Sequence, residues 1–482
     1  MPKTIFGTTE KSNFIINMKM ETLHRWIAFI LMLCVIVPQV GNFFALAFEA
    51  NTSLPAAFLY ATGFAAILFF IIAAIKNTVS FKANRIYIAV IVVAVWAFAS
   101  YYGVVISTSG TKYTESFSQE LINTAIMGEL GRNEGLLAIF AYLGIFLLAT
   151  LVKDSRTVTA IMDVMVGLGI AQGLIAVMQH IPGLNFLTLY NNLPTLALDK
   201  VMLSSGLTGS PIFYGSYIAV IMSIAFTGAV FCKNITRARV YAAAALLLWL
   251  TGLFTSSIVP IISGVTVIAV LTIIVLVQKK KGGVSFEGGI FKTAFARYAA
   301  LTAGIAVIFV LVLLIQGIYL RDTAIAFYDV YFNLFIVPAY YPKETRSLYE
   351  LGFDKGLQYI SENPILGIGP DCLAKMESVY PETMSPIDKI YNEFIYTAAT
   401  RGIPSALAFI SIAVYTVKRA ASKTGEFFAD SEKWYRPALA ASVIAYLVQA
   451  MFSASAVTVA PLFWLVCGLA CAKGLDQVKK SR

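Results

Sequence analysis

Charged residues are scarce in this sequence. They make up only 13% of its 482 residues, whereas hydrophobic residues make up 59%. A soluble globular protein carries about 25% charged and about 45–50% apolar residues. The scarcity of charge and the mean hydropathy of +0.78 exclude a soluble enzyme and a disordered chain. The class that remains is a polytopic membrane protein.

Cysteine and histidine are also rare. The chain has five cysteines and two histidines. Only Cys372 falls in a long polar loop, so the sequence offers no extracytoplasmic disulfide pair. No histidines, cysteines and carboxylates follow metal-ligand spacing, and no Gly-x-x-x-x-Gly-Lys phosphate loop occurs. These absences exclude a secreted disulfide scaffold and predict neither a structural zinc site nor an ATP-driven machine.

Apolar runs of about 20 residues, long enough to cross a bilayer as helices, recur along the chain. The seventh and eighth runs are split only by Thr255-Ser256-Ser257, and the last two by Ser453-Ala454-Ser455. We therefore predict an all-α polytopic integral membrane protein. Its twelve predicted spans cover residues 25–47, 55–75, 86–107, 135–152, 157–180, 211–231, 239–256, 258–277, 298–318, 403–417, 437–453 and 458–472.

Basic residues alternate with these spans. With the N-terminus in the cytoplasm, most of the 36 lysines and arginines fall in cytoplasmic segments, and each of those segments is basic. This positive-inside pattern predicts two cytoplasmic termini, and it explains the net charge of +10 without a nucleic-acid partner. Asp163 lies inside the fifth span, where an ionisable side chain is a functional candidate by default.

Two outer loops are long. One covers about residues 108–134 and the other about 319–402, and only the second is long enough for a small subdomain. We predict an N-terminal bundle over 1–318, the large loop over 319–402, and C-terminal spans with a cytoplasmic tail over 403–482. The cytoplasmic loops are short and leave no room for a nucleotide-binding domain.

The large outer loop carries the most informative pattern. Apolar residues at 349, 353, 357 and 360 have the spacing of an amphipathic helix, which Glu362-Asn363-Pro364 ends. A glycine turn follows over 365–370. A second helix opens near Asp388 and closes at Arg401-Gly402-Ile403-Pro404, with glycine as its C-terminal cap and proline beyond.

These segments resemble the O-antigen ligase/polymerase family. The run TRSLYELGFDKGLQYISENPILGIGPD, followed by DKIYNEFIYTAATRGIPSALAF, is similar to the family's arginine-led helix, glycine turn and re-entering helix. GRNEG at 131–135 and GLTGSPIFYGSYIA at 206–219 are also similar to family segments. Together with the topology, the resemblance covers nearly the whole chain.

The resemblance implies a metal-independent membrane glycosyltransferase. Such enzymes take a glycan from undecaprenyl diphosphate on the outer side of the bacterial cytoplasmic membrane. They transfer it to an acceptor hydroxyl, on a lipid core in a ligase or on a growing polysaccharide in a polymerase. The implied partners are the undecaprenyl-diphosphate-linked donor, the acceptor glycan and membrane lipid, with no cofactor and no nucleic acid.

The resemblance implies that arginines hold the leaving diphosphate, because their charge is permanent and their donors bind phosphate in pairs. Arg346 matches the family's loop arginine, and Arg132 and Arg401 lie near outer helix ends. Many relatives carry Ser-Arg-Gly where this chain has Thr255-Ser256-Ser257, so one arginine expected from the family is absent.

The resemblance also implies a catalytic role for Tyr391 and substrate binding by Asn392, at the positions where the family usually has histidine and asparagine. A tyrosine with a pKa of about 10 is a poor base at neutral pH. Glu393, Asp388 or Glu134 could act as the base instead, or Tyr391 could only orient the acceptor.

Three other functions stay open from the sequence. A flippase for lipid-linked glycans would have short outer loops, and the long loop argues against it. A cell-wall glycosyltransferase of the shape and division type would use the same lipid, and only the motif match separates it. A non-catalytic glycan-binding membrane protein is allowed by the missing histidine and arginine. An enzyme requires the outer loop to fold over the bundle with Arg346 pointing into a cavity, so the fold discriminates.

Overall fold

The chain folds as an all-α membrane protein. In the computed structural model, the described residues form helices and loops, with an isolated β-bridge between Ser285 and Thr293. Eight of the described helices are long and apolar enough to cross a membrane, by length and composition. The structure describes residues 20–48, 53–76, 86–109, 114–129, 132–181, 184, 204–255, 257–281, 285, 292–319, 348–379, 387 and 389–476.

Helices cover each of the twelve apolar segments predicted from the sequence. Eight of them are the long apolar helices, and the other four are the shorter helices Leu136–Ala149, Ile235–Leu253, Tyr435–Gln449 and Ala460–Cys471. The α-helices of the described residues are α1 Met20–Ala47, α2 Leu54–Ile75, α3 Ile86–Thr108, α4 Glu115–Met127, α5 Leu136–Ala149, α6 Ser155–His180, α7 Pro211–Phe231, α8 Ile235–Leu253, α9 Ile258–Lys280, α10 Ala294–Tyr319, α11 Leu348–Glu362, α12 Leu373–Val379, α13 Glu393–Ala429, α14 Tyr435–Gln449 and α15 Ala460–Cys471.

Helix α7 lies at the centre of the bundle. Every residue from Tyr214 to Phe231 is buried, and α7 packs against α8, α9 and α14. A helix that is apolar on all sides is expected in such a position, since other helices surround it. Helix α10 lies at the periphery, where Val310, Leu311 and Leu314 are exposed.

The described part of the large outer loop packs onto the bundle. Helix α11 contacts α13, and the turn after α11 reaches α3, where Trp96 Nε1 donates to the Ile365 carbonyl at 2.7 Å. Helix α12 is tied to α4 by an ion pair between Lys375 and Glu120. This part of the loop therefore lies against α3 and α4. Arg346, whose direction was expected to distinguish an enzyme, lies outside the described residues.

Both helices predicted in the outer loop are present. Helix α11 lies in the predicted stretch and ends ahead of Pro364. The sequence predicts that the stretch 388–394 opens the second helix. It begins at Glu393, because the Asn392 side chain accepts hydrogen bonds from two amides of the first turn, both at 3.1 Å, and caps the helix there. Asp388 itself lies outside the described residues.

Gly402 divides α13 into two helical parts. Its φ of 81° and ψ of 160° are not helical, as expected for the predicted C-terminal glycine. The glycine turn of the outer loop docks at this break, since the Ile403 amide donates to the Pro364 carbonyl at 2.8 Å. A Cβ atom at position 402 would lie 1.9 Å from the carbonyl oxygen of Ile365. Only glycine allows this close approach.

We expect Gly402→Ala to lower the free energy of unfolding by at least about 2 kcal/mol, because it adds backbone strain to the steric clash. Gly425→Ala is the matched control, since it lies later in the same helix and its Cβ would meet nothing within 4 Å. Alanine has the higher helix propensity, so this control should keep or raise stability. Thermal unfolding midpoints in detergent measure both, and equal midpoints would contradict the expectation.

Candidate active site

One end of the bundle holds a partly open cavity of about 120 Å³. Its wall combines apolar side chains with two cations, Arg132 and Lys389, and one carboxylate, Glu134. Arg132 and Glu134 come from the α4–α5 loop, and Lys389 comes from the segment before α13. Concave sites that combine an apolar wall with a few convergent charges are where ligands bind.

Glu134 and Lys389 form a buried ion pair in the cavity wall. Their side chains are only 5% and 2% exposed. Ser455 donates to the second carboxylate oxygen of Glu134, and Lys389 Nζ also donates to the Ser455 carbonyl at 3.1 Å. The same ammonium group lies 4.8 Å from the ring centroid of Tyr396. Burying such a pair costs desolvation energy, so a pair placed beside a cavity points to a role in function.

Asp371 holds the α4–α5 loop in place. Its Oδ2 atom accepts hydrogen bonds from the amides of Glu129 and Glu134, at 2.8 and 3.2 Å. Its Oδ1 atom accepts the Tyr396 hydroxyl at 2.6 Å and lies 3.8 Å from Arg132 Nε. The outer loop, through this one carboxylate, therefore fixes both of the charged residues that the α4–α5 loop places at the cavity.

The electrostatics of this site keep Asp371 ionised. Burial alone would raise the pKa of its carboxyl group. The nearby charges of Arg132 and Lys389, with the hydrogen bonds from Tyr396 and Glu129, outweigh burial and hold the pKa below its ordinary value. Asp371 therefore presents a negative charge to Arg132 at neutral pH.

Two non-glycine residues at this site adopt positive φ angles. They are Asn133 at 56° and Asp371 at 55°, and the described part of the chain has no others. Asparagine and aspartate tolerate this conformation better than other side chains. The hydroxyl of Tyr60 donates to the carbonyls of Met127 and Asn133 at 2.7 and 2.8 Å and holds the loop from the side of α2. Strain of this kind persists where surrounding contacts over-determine the backbone.

The structure brings some of the predicted site residues together. Arg132 and Glu134 line the cavity. Glu393 is buried near them, where its Oε2 atom accepts the Tyr446 hydroxyl at 2.9 Å and its amide donates to the Ala450 carbonyl at 2.8 Å. Glu134 is therefore the predicted carboxylate with direct access to the cavity.

Other predicted site residues do not line the cavity. Asn392 caps α13 and donates to the Met451 carbonyl at 3.3 Å. Tyr391 is half-buried beside it. Arg401 donates to the Thr397 hydroxyl at 2.6 Å, at the end of the first part of α13. Arg346 and Asp388 lie outside the described residues.

Two residues at the centre of the site were missed from the sequence. Lys389 lies two positions before the Tyr-Asn-Glu segment that resembles the family, and Asp371 directly follows the glycine turn. Their positions beside family-like motifs were the available signal. Arginines were considered for the diphosphate, whereas Lys389 is the cation that pairs with Glu134.

The arrangement suits the binding of an oxyanion next to a proton acceptor. Arg132 and Lys389 supply positive charge to the cavity, and Glu134 supplies a carboxylate in the same wall. Among the residues that the structure describes, no group of three or more histidines, cysteines and carboxylates could hold a metal ion.

Asp163 has a structural partner away from the cavity. Its carboxylate accepts a hydrogen bond from Arg237 at 3.0 Å and from the Tyr241 hydroxyl at 2.6 Å. Both charged side chains are more than one third exposed, at 36% and 39%. This geometry is that of an ion pair joining α6 to α8, so the functional role expected of an intramembrane charge is not needed to explain it.

We expect Asp163→Asn to lower the free energy of unfolding by roughly 0–1 kcal/mol, because exposed ion pairs contribute little. The thermal midpoint of the purified variant in detergent measures the effect. A loss well above about 1 kcal/mol would contradict this assignment.

No protein-family model matches this chain, and no curated protein matches it.

Proposed function

We propose that this protein is a metal-independent membrane glycosyltransferase of the O-antigen ligase/polymerase type. It would cross the bacterial cytoplasmic membrane twelve times, with both termini in the cytoplasm. It would transfer a glycan from undecaprenyl diphosphate to an acceptor hydroxyl on the outer side. The observation that carries the proposal is the cavity in which Arg132, Lys389 and Glu134 meet beneath the folded outer loop.

The two cations of the cavity are suited to the leaving group. A departing lipid diphosphate develops negative charge, and fixed cations stabilise that charge most strongly where water is excluded. Arg132 and Lys389 would bind the diphosphate, with Arg346 from the outer loop as a further partner. Asp371 and Glu134 each neutralise one of these cations in the absence of a ligand, which lets both charges stay buried.

The proposed reaction is a single displacement. The acceptor oxygen forms a bond to the anomeric carbon of the donor, and the bond from that carbon to the diphosphate oxygen breaks. The bonding electrons leave with the diphosphate, and the acceptor proton passes to the carboxylate of Glu134. Lys389, bonded to Glu134 in the absence of substrate, would turn towards the diphosphate as that proton arrives.

The folded outer loop supports an enzyme over a flippase. The loop contributes Lys389 to the cavity wall and Asp371 to the frame behind Arg132. A flippase must open the cavity to each side of the membrane in turn, and a loop that is hydrogen-bonded to α3 favours a fixed site. A fixed site is what alignment of two substrates requires.

A transfer assay in proteoliposomes tests the proposed function. The purified protein is supplied with a lipid-linked oligosaccharide from the native host, and glycan length is followed on a gel. A ladder of multiples identifies a polymerase, and a single shift of a distinct acceptor identifies a ligase. Movement of labelled donor between leaflets without transfer would overturn the proposal in favour of a flippase.

A further inference from the structure

Four helices begin at the wall of the cavity. The residues that show this are Pro55 at the start of α2, Glu134 just before α5, Gly209 just before α7 and Thr458 just before α15. The N-terminus of a helix carries a partial positive charge and amides without helical partners. Anions bind at such ends. These four helix starts lie at the same cavity as Arg132 and Lys389.

The Thr458 hydroxyl is a second and independent sign of a ligand. The residue is only 4% exposed and lines the cavity. Its Oγ1 atom has no hydrogen-bond partner among the described residues. Buried hydroxyl groups are nearly always hydrogen-bonded, so one without a partner at a cavity wall needs an explanation. A bound ligand would supply the missing acceptor.

A relay of buried amide side chains holds the backbone of Thr458. Gln39 Nε2 donates to the Thr458 carbonyl at 2.5 Å, and Gln172 Nε2 donates to Gln39 Oε1 at 2.5 Å. Gln172 Oε1 in turn accepts the Leu207 amide at 2.5 Å. Gln39 and Gln172 are 3% and 1% exposed. The relay therefore joins the loop before α7 to the loop before α15.

Both of these loops are non-helical and buried between helices. Irregular backbone at such a depth is stable where protein groups satisfy it or where it lines a cavity. Gln179 satisfies two more backbone amides of the first loop. Its Oε1 atom accepts hydrogen bonds from the amides of Ser205 and Gly206 at 2.9 and 2.8 Å. The loops before α7 and α15 are thus held by hydrogen bonds from buried glutamine side chains, and both loops also contribute residues to the cavity wall.

We propose that Thr458 donates a hydrogen bond to a phosphoryl oxygen bound in the cavity, and that Gln39 and Gln172 position it. This inference rests on the proposed function and assigns it a further binding residue. The ligand is a phosphoryl anion, and the cavity can receive it either as free pyrophosphate or as the headgroup of a lipid diphosphate. Thr458 is the ligand contact, and the two glutamines act through it.

Binding of inorganic pyrophosphate and of farnesyl diphosphate to the purified full chain tests the proposal by calorimetry. Thr458→Val should weaken both by about ten-fold, the loss expected for one hydrogen bond to a charged group. Thr458→Ser should restore binding. A site for the lipid headgroup predicts tighter binding of farnesyl diphosphate, and a site for the free anion predicts equal binding.

Two comparisons separate ligand contact from folding. Thr227→Val is the matched control, because Thr227 is equally buried in α7 but its hydroxyl donates to the Ser223 carbonyl at 2.7 Å. It should bind both probes as wild type does. Gln39→Leu should weaken binding as Thr458→Val does, and the double variant should be no weaker than Thr458→Val alone. Additive losses would show that Gln39 does not act through Thr458.

The binding assay tests the assignment of Thr458 and the transfer assay tests the proposed function, so either proposal can be wrong without the other. If wild type binds neither probe, or if Thr458→Val binds both as tightly as wild type, the assignment of Thr458 is wrong even where glycan transfer proceeds. If Thr458 governs binding but no transfer of any glycan occurs, the phosphoryl site stands and the glycosyltransferase proposal fails. Where transfer proceeds, Thr458→Val should raise the KM for the donor more than it lowers kcat.

Discussion

Lys389→Met is expected to lower the rate of glycan transfer by at least about 100-fold, which is about 2.7 kcal/mol of transition-state stabilisation. Lys389 is one of two cations in the cavity, and its side chain is 2% exposed. In the proposed reaction, this fixed cation would stabilise the negative charge that develops on the diphosphate. The proteoliposome assay measures the effect at saturating donor.

The single variant also leaves Glu134 buried without its partner, which by itself costs stability. A double variant, Glu134→Gln with Lys389→Met, removes both charges and separates folding from function. We expect its thermal midpoint to return towards that of wild type while transfer stays low. Recovery of transfer in the double variant would show that Lys389 serves only to neutralise Glu134.

A second lysine in the same outer loop provides the matched control. Lys375 on α12 forms ion pairs with Glu120 and Glu129, outside the cavity wall. Lys375→Met removes the same charge and leaves the same side-chain stem. We expect it to transfer glycan within about two-fold of wild type. An equal loss for Lys375 and Lys389 would point to the general charge of the loop and not to a site.

The positions of the helices could be predicted because they depend on local composition. Apolar runs of bilayer length mark each segment, and helices cover all twelve. The amphipathic spacing before Pro364 marks α11, and the glycine before Pro404 marks the break in α13. Such patterns are visible in a single sequence, since helix periodicity and glycine conformation act over a few residues.

The composition of the cavity could not be predicted, because its residues are distant in the chain. Glu134 and Lys389 are separated by 255 positions, and Asp371 lies 237 positions from the Glu134 amide that it accepts. Nothing local marks these pairs. Arg132 and Glu134 were predicted as candidates by their place beside a span, whereas Lys389 and Asp371 required the packing of the outer loop on the bundle.

The break between the last two helices shows the same limit. In the sequence, Ser453-Ala454-Ser455 is visible only as a polar break between two apolar runs. In the structure, the segment that it begins lines the cavity through Ser455 and Thr458. Its function depends on where the loop lies relative to α5 and α7, and hydropathy contains no information about that.

Asp371→Asn is expected to lower the free energy of unfolding by about 3 kcal/mol at neutral pH. The carboxylate accepts two backbone amides and one hydroxyl and lies 3.8 Å from Arg132. Asparagine offers a single acceptor oxygen. Its amino group would face the N–H and O–H donors that are now bonded to the carboxylate, and it cannot accept hydrogen bonds from them. The thermal midpoint in detergent should fall, and Asp354→Asn on the exposed side of α11 should leave it unchanged.

The pH dependence gives this expectation its sign. The pKa of Asp371 lies below its ordinary value in the folded protein, because the opposing charges and hydrogen bonds outweigh burial. Its stabilising contribution is therefore complete above the pKa of the unfolded chain, about 3.9. That contribution is lost as the pH falls through the folded pKa. The midpoints of wild type and Asp371→Asn should thus differ most at neutral pH and converge below about pH 4. A gap that stays constant over this range would contradict the assignment.

Transfer should fall with stability in this variant, for a separate reason. Asp371 fixes the amides of Glu129 and Glu134, so its loss frees the loop that carries Arg132 and the carboxylate of the cavity. A displacement of about 1 Å at a reacting group can cost 100-fold in rate. Transfer measured well below the unfolding midpoint should therefore drop by about that factor. If the folded variant transfers glycan at the wild-type rate, Asp371 contributes only to folding, and it does not position the residues of the cavity.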